Sequence, residues 1–143
     1  MNIERLILQL KDDEGFSPVA FWDREQWTYG YGCKAPGEGS TITKAKADVL
    51  LNDEVINSMK DFMDIYSDCQ ENINDVRAEA LVNMAFNLGK TKLLKFRKMN
   101  AAIRRDDWME AASQAASSRW YAQVGKRAWR ICKELATGEK GEA

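Results

Sequence analysis

An abrupt change of pattern at Glu14-Gly15 is the feature that most constrains the fold of this chain. Residues 3–10 form an amphipathic segment with helical spacing. A glycine directly after such a run, followed by a proline at position 18, predicts that the helix ends at Glu14. The next residues are short aromatic runs punctuated by glycine, up to Gly32, which predicts a small antiparallel hairpin or meander. A helix therefore gives way to a sheet within a few residues.

This junction brings two carboxylates and a hydroxyl close together in the sequence. Glu14 ends the predicted helix, Asp23 lies in the predicted hairpin, and Thr28 follows five residues later. Two carboxyl groups in different environments can have different pKa values, so that one donates a proton and the other accepts one. Glu25 is an alternative to Asp23 as the second carboxylate.

Composition excludes several classes of function. The 143 residues are 45% apolar and 30% charged, as in a soluble domain with a core of its own. No apolar run approaches the roughly 18 residues of a membrane span, and no signal peptide is evident, so we expect a cytosolic protein. Histidine is absent, which excludes Ser-His-Asp and Cys-His catalysis and argues against a transition-metal site. Three widely spaced cysteines imply neither a zinc site nor a disulfide framework.

Charge is distributed unevenly along the chain. Residues 92–133 contain eleven Lys and Arg against three Asp and Glu, whereas residues 1–91 contain nine against sixteen. This asymmetry predicts an anionic partner for the C-terminal part of the molecule. Solvated helix faces in a polarised protein are the alternative interpretation.

The remaining sequence predicts helices. Thr43 is a suitable N-cap for a long helix that ends at about Tyr66. The apolar stripe predicted for this helix consists of Val49, Leu50, Ile56, Met59, Phe62 and Met63. The most apolar helix, predicted at 75–88 with Gly89 as its C-cap, is expected to be the buried axis of the C-terminal part.

Shorter helices are predicted beyond this axis, at 92–104, 107–116 and 126–136. Asp106 is the expected N-cap of the second of these. Three tryptophans at helical spacing are assigned to the core, with stacking of a rim tryptophan on sugar as the alternative: Trp108, Trp120 and Trp129. The charged, glycine-containing tail 138–143 is expected to be frayed.

The residues around the junction resemble a known catalytic signature. Glu14, eight intervening residues, Asp23, and then Thr28 with Tyr29-Gly30-Tyr31-Gly32 are similar to the Glu-Asp-Thr signature of phage-type lysozymes, glycoside hydrolase family 24. Further blocks follow in the family's order at residues 77–89, 108–112, 118–121 and 127–130. Two departures stand out: four residues instead of five separate Asp23 from Thr28, and Cys33 replaces the histidine that usually follows Gly-x-Gly.

The resemblance implies an α+β fold that is predominantly helical and has two lobes within a single domain, residues 1–143. A small antiparallel sheet would occupy an N-terminal lobe at about 14–50. A linking helix at about 43–66 would lead to a helical lobe at about 72–137, which would also include the N-terminal helix.

The resemblance also implies an endo-acting muramidase that cleaves the β-1,4 bond of peptidoglycan. Glu14 would be the general acid, Asp23 the base or transition-state stabiliser, and Thr28 the residue that positions water. The implied substrate-binding residues are Lys34, Phe86, Asn87, Met99, Gln114, Arg119 and Arg127. We expect no cofactor, no nucleic acid partner, no stable membrane insertion and a monomer. As a phage endolysin, the protein would remain in the host cytoplasm until a holin opened a route to the wall.

The spacing carries a further expectation about stereochemistry. On a regular strand, shortening the Asp23–Thr28 interval by one residue would turn the Thr28 hydroxyl to the other face. A tighter turn at 24–26 would absorb the change, and we then expect an inverting reaction in which Thr28 holds the attacking water.

Three alternatives stay open at this point. A lytic transglycosylase acts on the same bond with a glutamate alone. A tail-associated enzyme that pierces the wall would share this domain. A basic helical module could instead bind an anionic polymer without catalysis.

Overall fold

The computed structural model describes residues 1–141 and is predominantly helical. Its α-helices are α1 (Ile3–Glu14), α2 (Lys44–Tyr66), α3 (Asp75–Leu88), α4 (Lys90–Leu94), α5 (Arg97–Arg104), α6 (Trp108–Ala116), α7 (Arg119–Val124) and α8 (Lys126–Thr137). Its strands are β1 (Ser17–Asp23), β2 (Gln26–Gly30) and β3 (Cys33–Lys34), which form an antiparallel sheet in the order β1-β2-β3. The predicted α+β class, mostly helical with a small antiparallel meander, is confirmed.

The chain divides into two compact units. The sheet unit comprises Ile3–Ile56, and the helical unit comprises Met1–Asn2 together with the chain from Asn57 onward. Helix α1 falls in the sheet unit, whereas the resemblance had grouped it with the helical lobe. Helix α2 begins in the first unit and ends in the second, over almost the range predicted for a linking helix.

In the sheet unit, the predicted helix end at Glu14 is confirmed. Gly15 has a φ of 67° and its amide donates to the Lys11 carbonyl at 2.9 Å, which closes the last turn before β1 begins. Lys11 Nζ lies 2.8 Å from Asp48 Oδ1 on α2 and 5.3 Å from the centre of the Tyr31 ring. One lysine thus links α1, the sheet and α2.

Helix α2 starts as predicted but buries a different face. The Thr43 hydroxyl accepts from the Lys46 amide at 3.2 Å, so the predicted N-cap is confirmed. Half of the predicted stripe is wrong, because Val49, Ile56 and Met63 are each about half exposed. The buried positions recur every three or four residues: Ala47, Leu51, Val55, Ser58, Phe62, Ile65 and Tyr66.

Helix α3 is the buried axis of the helical unit, as predicted. Asn74 caps it by accepting from the Arg77 amide at 2.9 Å, and residues 78–85 are all buried. Gly89 ends the helix with a φ of 83°, and its amide donates to the Ala85 carbonyl. Its predicted role as C-cap is confirmed.

The shorter helices differ from the prediction in three respects. The single helix predicted at 92–104 is two helices, α4 and α5, because the backbone leaves the helical region at Phe96 with φ −75° and ψ 59°. Helix α7 was not predicted. Asp107, not Asp106, caps α6 by accepting from the Glu110 amide at 3.1 Å. Asp106 instead has a φ of 61° and accepts from Trp108 Nε1.

The predicted core tryptophans are only partly right, and the predicted fraying of the tail is wrong for residues 138–140. Trp108 and Trp120 are buried, but Trp129 is 55% exposed, with Lys133 Nζ 5.0 Å from its ring centre. The tail is held as far as Lys140, since the Asn74 amide donates to the Gly138 carbonyl at 3.0 Å and Lys140 pairs with Glu134 at 2.8 Å. The end of that predicted tail, residues 142 and 143, lies outside the described residues.

Two further findings concern cysteine and membranes. All three thiols are free and buried: Cys33, Cys69 and Cys132. Within residues 1–141, every helix is too short or too polar to cross a membrane.

Candidate active site

Glu14 lies at the end of α1, where its carboxyl packs directly on the backbone of Gly32. A β-carbon at position 32 would collide with Glu14 Oε1 and would lie 3.2 Å from Glu14 Cδ. Gly32 also has a φ of 74°, which side-chain-bearing residues rarely adopt. Position 32 therefore requires glycine for two reasons, and any side chain there would displace the Glu14 carboxyl.

The buried Cys33 thiol and the half-buried Glu54 carboxyl of α2 interact beside Glu14. The Cys33 thiol donates a hydrogen bond to the Tyr31 carbonyl at 3.9 Å. Burial raises the pKa of Cys33 to about 12, and the negative charges of Glu54 and Glu14 add to the shift. Burial also raises the pKa of Glu54, and the charge of Glu14 raises it further, while the interaction with Cys33 opposes both effects.

Sequence reasoning missed Glu54. The available signal was a carboxylate on the buried face of α2, between Leu51 and Val55, which is an unusual place for a charge. It became recognisable only once that face was known.

Asp23 and Thr28 lie on one face of the sheet. Asp23, the last residue of β1, pairs with Gln26, and Phe21 pairs with Thr28. Directly paired residues, and residues two apart on a strand, point to the same side of a sheet. Asp23 and Thr28 therefore share a face despite the shortened interval between them.

A two-residue turn makes this arrangement possible. Arg24 and Glu25 alone connect β1 to β2, and Arg24 has a φ of 52°. The tight turn predicted at 24–26 is thus confirmed. Glu25, the alternative carboxylate, lies in the turn and is exposed, not on the strand face beside Asp23.

The Thr28 hydroxyl is buried. Thr28 is only 2% exposed, and its Oγ1 has no hydrogen-bond partner among residues 1–141. A buried hydroxyl without a partner is costly, so such a group calls for a bound water or ligand. Lys34, on β3, pairs with Thr28 from the other side and is exposed. Thr28 thus lies buried between two exposed side chains of the neighbouring strands, Phe21 and Lys34.

Two predicted contact residues lie at the end of α3 in the helical unit. Phe86 is half-buried. Asn87 is exposed, and its Oδ1 accepts from Trp120 Nε1 at 2.8 Å, which fixes the orientation of the side-chain amide.

The remaining predicted contact residues differ in their surroundings. Gln114 is half-buried on α6 and donates to Glu110 at 2.7 Å. Arg119 is exposed at the start of α7. Arg127 is half-buried on α8, and its Nε donates to Asn83 Oδ1 at 2.8 Å. Met99 is 1% exposed on the buried face of α5, so the structure places it in the core and not on a binding surface.

Comparison with known proteins identifies the family. A family model described as phage lysozyme matches residues 11–133, which include Glu14, Asp23, Thr28 and the helices that follow. The chain belongs to the phage lysozyme family. This is glycoside hydrolase family 24, the family that the motif order had indicated.

Individual relatives cover the chain to different extents. The pre-baseplate central spike protein Gp5 of Enterobacteria phage T4 is 28% identical over 90% of this chain and 27% of its own length. Two probable T4-type lysozymes of Dictyostelium discoideum, numbers 2 and 1, are 34% and 26% identical, each over 68% of this chain and 58% of its own length. The chain thus spans about a quarter of the spike protein and less than three fifths of either lysozyme.

Within the phage lysozyme family, this member replaces one buried neighbour of the glutamate. Cys33 stands where the family usually has a histidine after Gly-x-Gly, and its thiol donates to the Tyr31 carbonyl. A thiol with its pKa raised to about 12 remains neutral at physiological pH, so it adds no charge near Glu14 and Glu54. Residues 1–141 contain no group of three or more His, Cys, Asp or Glu side chains placed to hold a metal ion.

Proposed function

We propose that this protein is an endo-acting muramidase that hydrolyses the β-1,4 bond between N-acetylmuramic acid and N-acetylglucosamine in peptidoglycan. Glu14 is the general acid, Asp23 the base that activates water, and Thr28 the residue that holds this water. The observation that supports these roles best is the sheet face on which Asp23 and Thr28 lie together, with the buried Thr28 hydroxyl lacking a protein partner.

The reaction needs only side chains of this type. Glu14 donates its proton to the glycosidic oxygen as the bond to the leaving sugar breaks. A water held by the Thr28 hydroxyl attacks the anomeric carbon, and Asp23 accepts the proton that this water loses. Both carboxyl groups then exchange protons with solvent, and no cofactor takes part.

The water-holding role of Thr28 implies inversion at the anomeric carbon. In a retaining enzyme the second carboxylate attacks the sugar itself, so a hydroxyl that holds water would be needed less. We therefore expect the first product formed to be the α-anomer. Proton NMR of a fresh digest distinguishes the anomers, and an initial β-anomer would mean that Asp23 acts as the nucleophile.

The glycan contacts follow from the resemblance, adjusted for burial. In the sheet unit we propose Lys34. In the helical unit we propose the exposed or half-buried members of the predicted set: Phe86, Asn87, Gln114, Arg119 and Arg127. Met99 is excluded because it is a core residue.

Mass spectrometry of digested peptidoglycan tests the assignment directly. Reducing-end muramic acid supports the muramidase, anhydro-muramyl ends would instead indicate a lytic transglycosylase, and intact glycan would leave only a binding function. Glu14→Gln should abolish product formation, because it removes the proton donor while preserving the shape of the side chain. A folded Glu14→Gln protein that still cleaves glycan would rule out the proposed acid.

We propose an endolysin as the biological role. The protein would accumulate in the host cytoplasm, await a membrane-permeabilising holin, act as a monomer and cause lysis. In this proposal, peptidoglycan strands are its partner, with no nucleic acid and no stable membrane insertion. Lysis that occurs without any holin would contradict this order of events.

A virion-associated lysozyme is the second candidate, and one comparison favours it. Nearly the whole chain, 90%, matches a segment of a phage spike protein. Detection of the protein in purified virions would support this role over the endolysin. Its recovery only from the lysate supernatant would support the endolysin.

A further inference from the structure

The sheet face that holds Asp23 and Thr28 also presents an exposed aromatic ring. Phe21 is 46% exposed, and the strand register places it directly opposite Thr28. Thr28 is in turn opposite Lys34, so the three residues form a row across all three strands. We call this the Phe21–Thr28–Lys34 row. Asp23 lies two residues from Phe21 on β1 and points to the same side.

Phe21 has no aromatic partner within residues 1–141. Its neighbour Trp22 packs edge-to-face on Trp27, with ring centres 5.6 Å apart. Phe16 similarly contacts Tyr31, at 5.4 Å. Phe16, Tyr31, Trp22 and Trp27 thus have aromatic partners in the protein, whereas Phe21 presents its ring to solvent without one.

The spacing suits a ligand that contacts the exposed residues of this face. Directly paired side chains have Cβ atoms about 5 Å apart, and positions two apart on a strand are separated by about 7 Å. A single sugar ring placed on Phe21 would therefore lie within reach of Asp23, next to the buried Thr28. Phenylalanine has no hydrogen-bonding group, so its contribution at this position can only be an apolar surface.

We propose that Phe21 is a substrate-binding residue that stacks on the C–H face of the N-acetylhexosamine ring and seats this ring against Asp23, beside the buried Thr28. This inference rests on the proposed muramidase function. A pyranose ring has an apolar C–H face and polar edges, which matches an aromatic platform flanked by a hydroxyl, a carboxylate and a lysine. Phe21 thus fixes the face of the sugar that meets the catalytic groups.

The test compares Phe21 with Trp22, its neighbour on the opposite face. Both are aromatic, both are on β1, and Trp22 is 57% exposed. Phe21→Ala, Phe21→Trp and Trp22→Ala are each placed in the Glu14→Gln background. Titration calorimetry then measures the dissociation constant for a muramic acid–glucosamine tetrasaccharide. The same three substitutions in the active enzyme give kcat and KM.

We expect Phe21→Ala to weaken tetrasaccharide binding and raise KM about tenfold, because a stacking surface is lost. Phe21→Trp should retain binding within about twofold, and Trp22→Ala should leave it unchanged. Equal losses in Phe21→Ala and Trp22→Ala would show an effect of hairpin stability and would overturn the inference.

Failure of the inference can be separated from failure of the proposed function. If the wild type cleaves glycan but Phe21→Ala binds as tightly as its parent, only the role of Phe21 is wrong. If the wild type cleaves no glycan and Glu14→Gln binds none, both the muramidase and the stacking role are overturned.

Discussion

The residues at positions 32, 33 and 54 determine the surroundings of the Glu14 carboxyl. Gly32 leaves room for the Glu14 carboxyl, and Cys33 with Glu54 places a hydrogen-bonded thiol and a second carboxyl nearby. The thiol of Cys33 is neutral at physiological pH, so it does not compensate the charge of Glu54.

The two carboxylates near the hairpin turn should differ sharply in importance. Asp23→Asn should lower kcat on peptidoglycan about 100- to 10,000-fold, since it removes the proposed base from the strand face that it shares with Thr28. Glu25→Gln should remain within about twofold of wild type, because Glu25 lies in the exposed turn. Turbidity assays on purified walls measure both variants. The reverse ranking would mean that Glu25 is the second catalytic carboxylate.

Glu54 should make the stability of the fold depend on pH. Because its pKa is raised in the folded state, the folded protein binds this proton more tightly than the unfolded chain. The resulting stabilisation is present below the unfolded pKa and is lost as pH rises through the folded pKa. Glu54→Gln cannot ionise, so its free energy of unfolding should fall less than that of wild type as pH rises from the unfolded glutamate pKa of about 4.3 through the raised folded pKa.

Urea unfolding at several pH values measures this difference. Asp53→Asn is the control, because Asp53 is the exposed neighbour of Glu54 on α2. If the free energy of unfolding changes with pH in the same way for wild type and Glu54→Gln, then Glu54 ionises alike in the folded and unfolded states.

At the scale of secondary-structure elements, the β1–β2 hairpin keeps Asp23 and Thr28 on one face although the interval between them is one residue shorter than the family's usual one. A loop of two residues keeps Asp23 and Thr28 on one face, whereas a slip of one residue would turn every following side chain over. The strained conformation of Arg24 accompanies this short connection.

Arg24→Gly should therefore stabilise the hairpin. A non-glycine residue at positive φ costs about 1–2 kcal/mol, whereas glycine adds about 0.4–1 kcal/mol of unfolded-state entropy, so a net gain of about 0.5–1 kcal/mol is expected. Urea unfolding measures the gain. Glu25→Gly, at a neighbouring turn position without a positive φ, should be destabilising. Stabilisation by both substitutions, or by neither, would show that the backbone conformation of Arg24 does not destabilise the hairpin.

At the scale of the whole molecule, the uneven charge persists in the fold. The basic segment 92–133 supplies helices α5 to α7 and much of α8, and many of its lysines and arginines are exposed. Exposed charges of one sign attract an anionic polymer and speed its capture. Bacterial walls contain anionic groups, so we expect the basic segment to speed binding of the enzyme to the wall. This binding step is separate from catalysis.

Lysis of whole walls should therefore slow as salt is raised past about 0.1 M, where the Debye length is about 10 Å. The double variant Lys95→Gln/Lys98→Gln should start slower and depend less on salt, because it removes two exposed charges from the basic segment. Lys46→Gln/Lys60→Gln removes two exposed lysines elsewhere and is the matched control. Salt-independent lysis would mean that the basic segment is only a solvated surface.

Features determined by neighbours in the chain could be predicted from the sequence. The helix end at Glu14, the tight turn after Asp23, the Thr43 cap and the Gly89 C-cap all depend on a few adjacent residues. The ordered motifs also predicted the family, which the family match confirms. Local sterics and hydrogen bonding act over such short distances that tertiary structure changes them little.

Features determined by packing could not be predicted in this way. The buried face of α2, the exposure of Trp129, the burial of Met99 and the contact of Glu54 with Cys33 depend on residues far away in sequence. An apolar side chain on a helix shows only that burial is favourable, not which neighbour will provide it. The sequence by itself therefore determined the family, the helix-to-sheet junction and the long helices, and only the tertiary structure decided the short helices and which side chains surround Glu14 and Thr28.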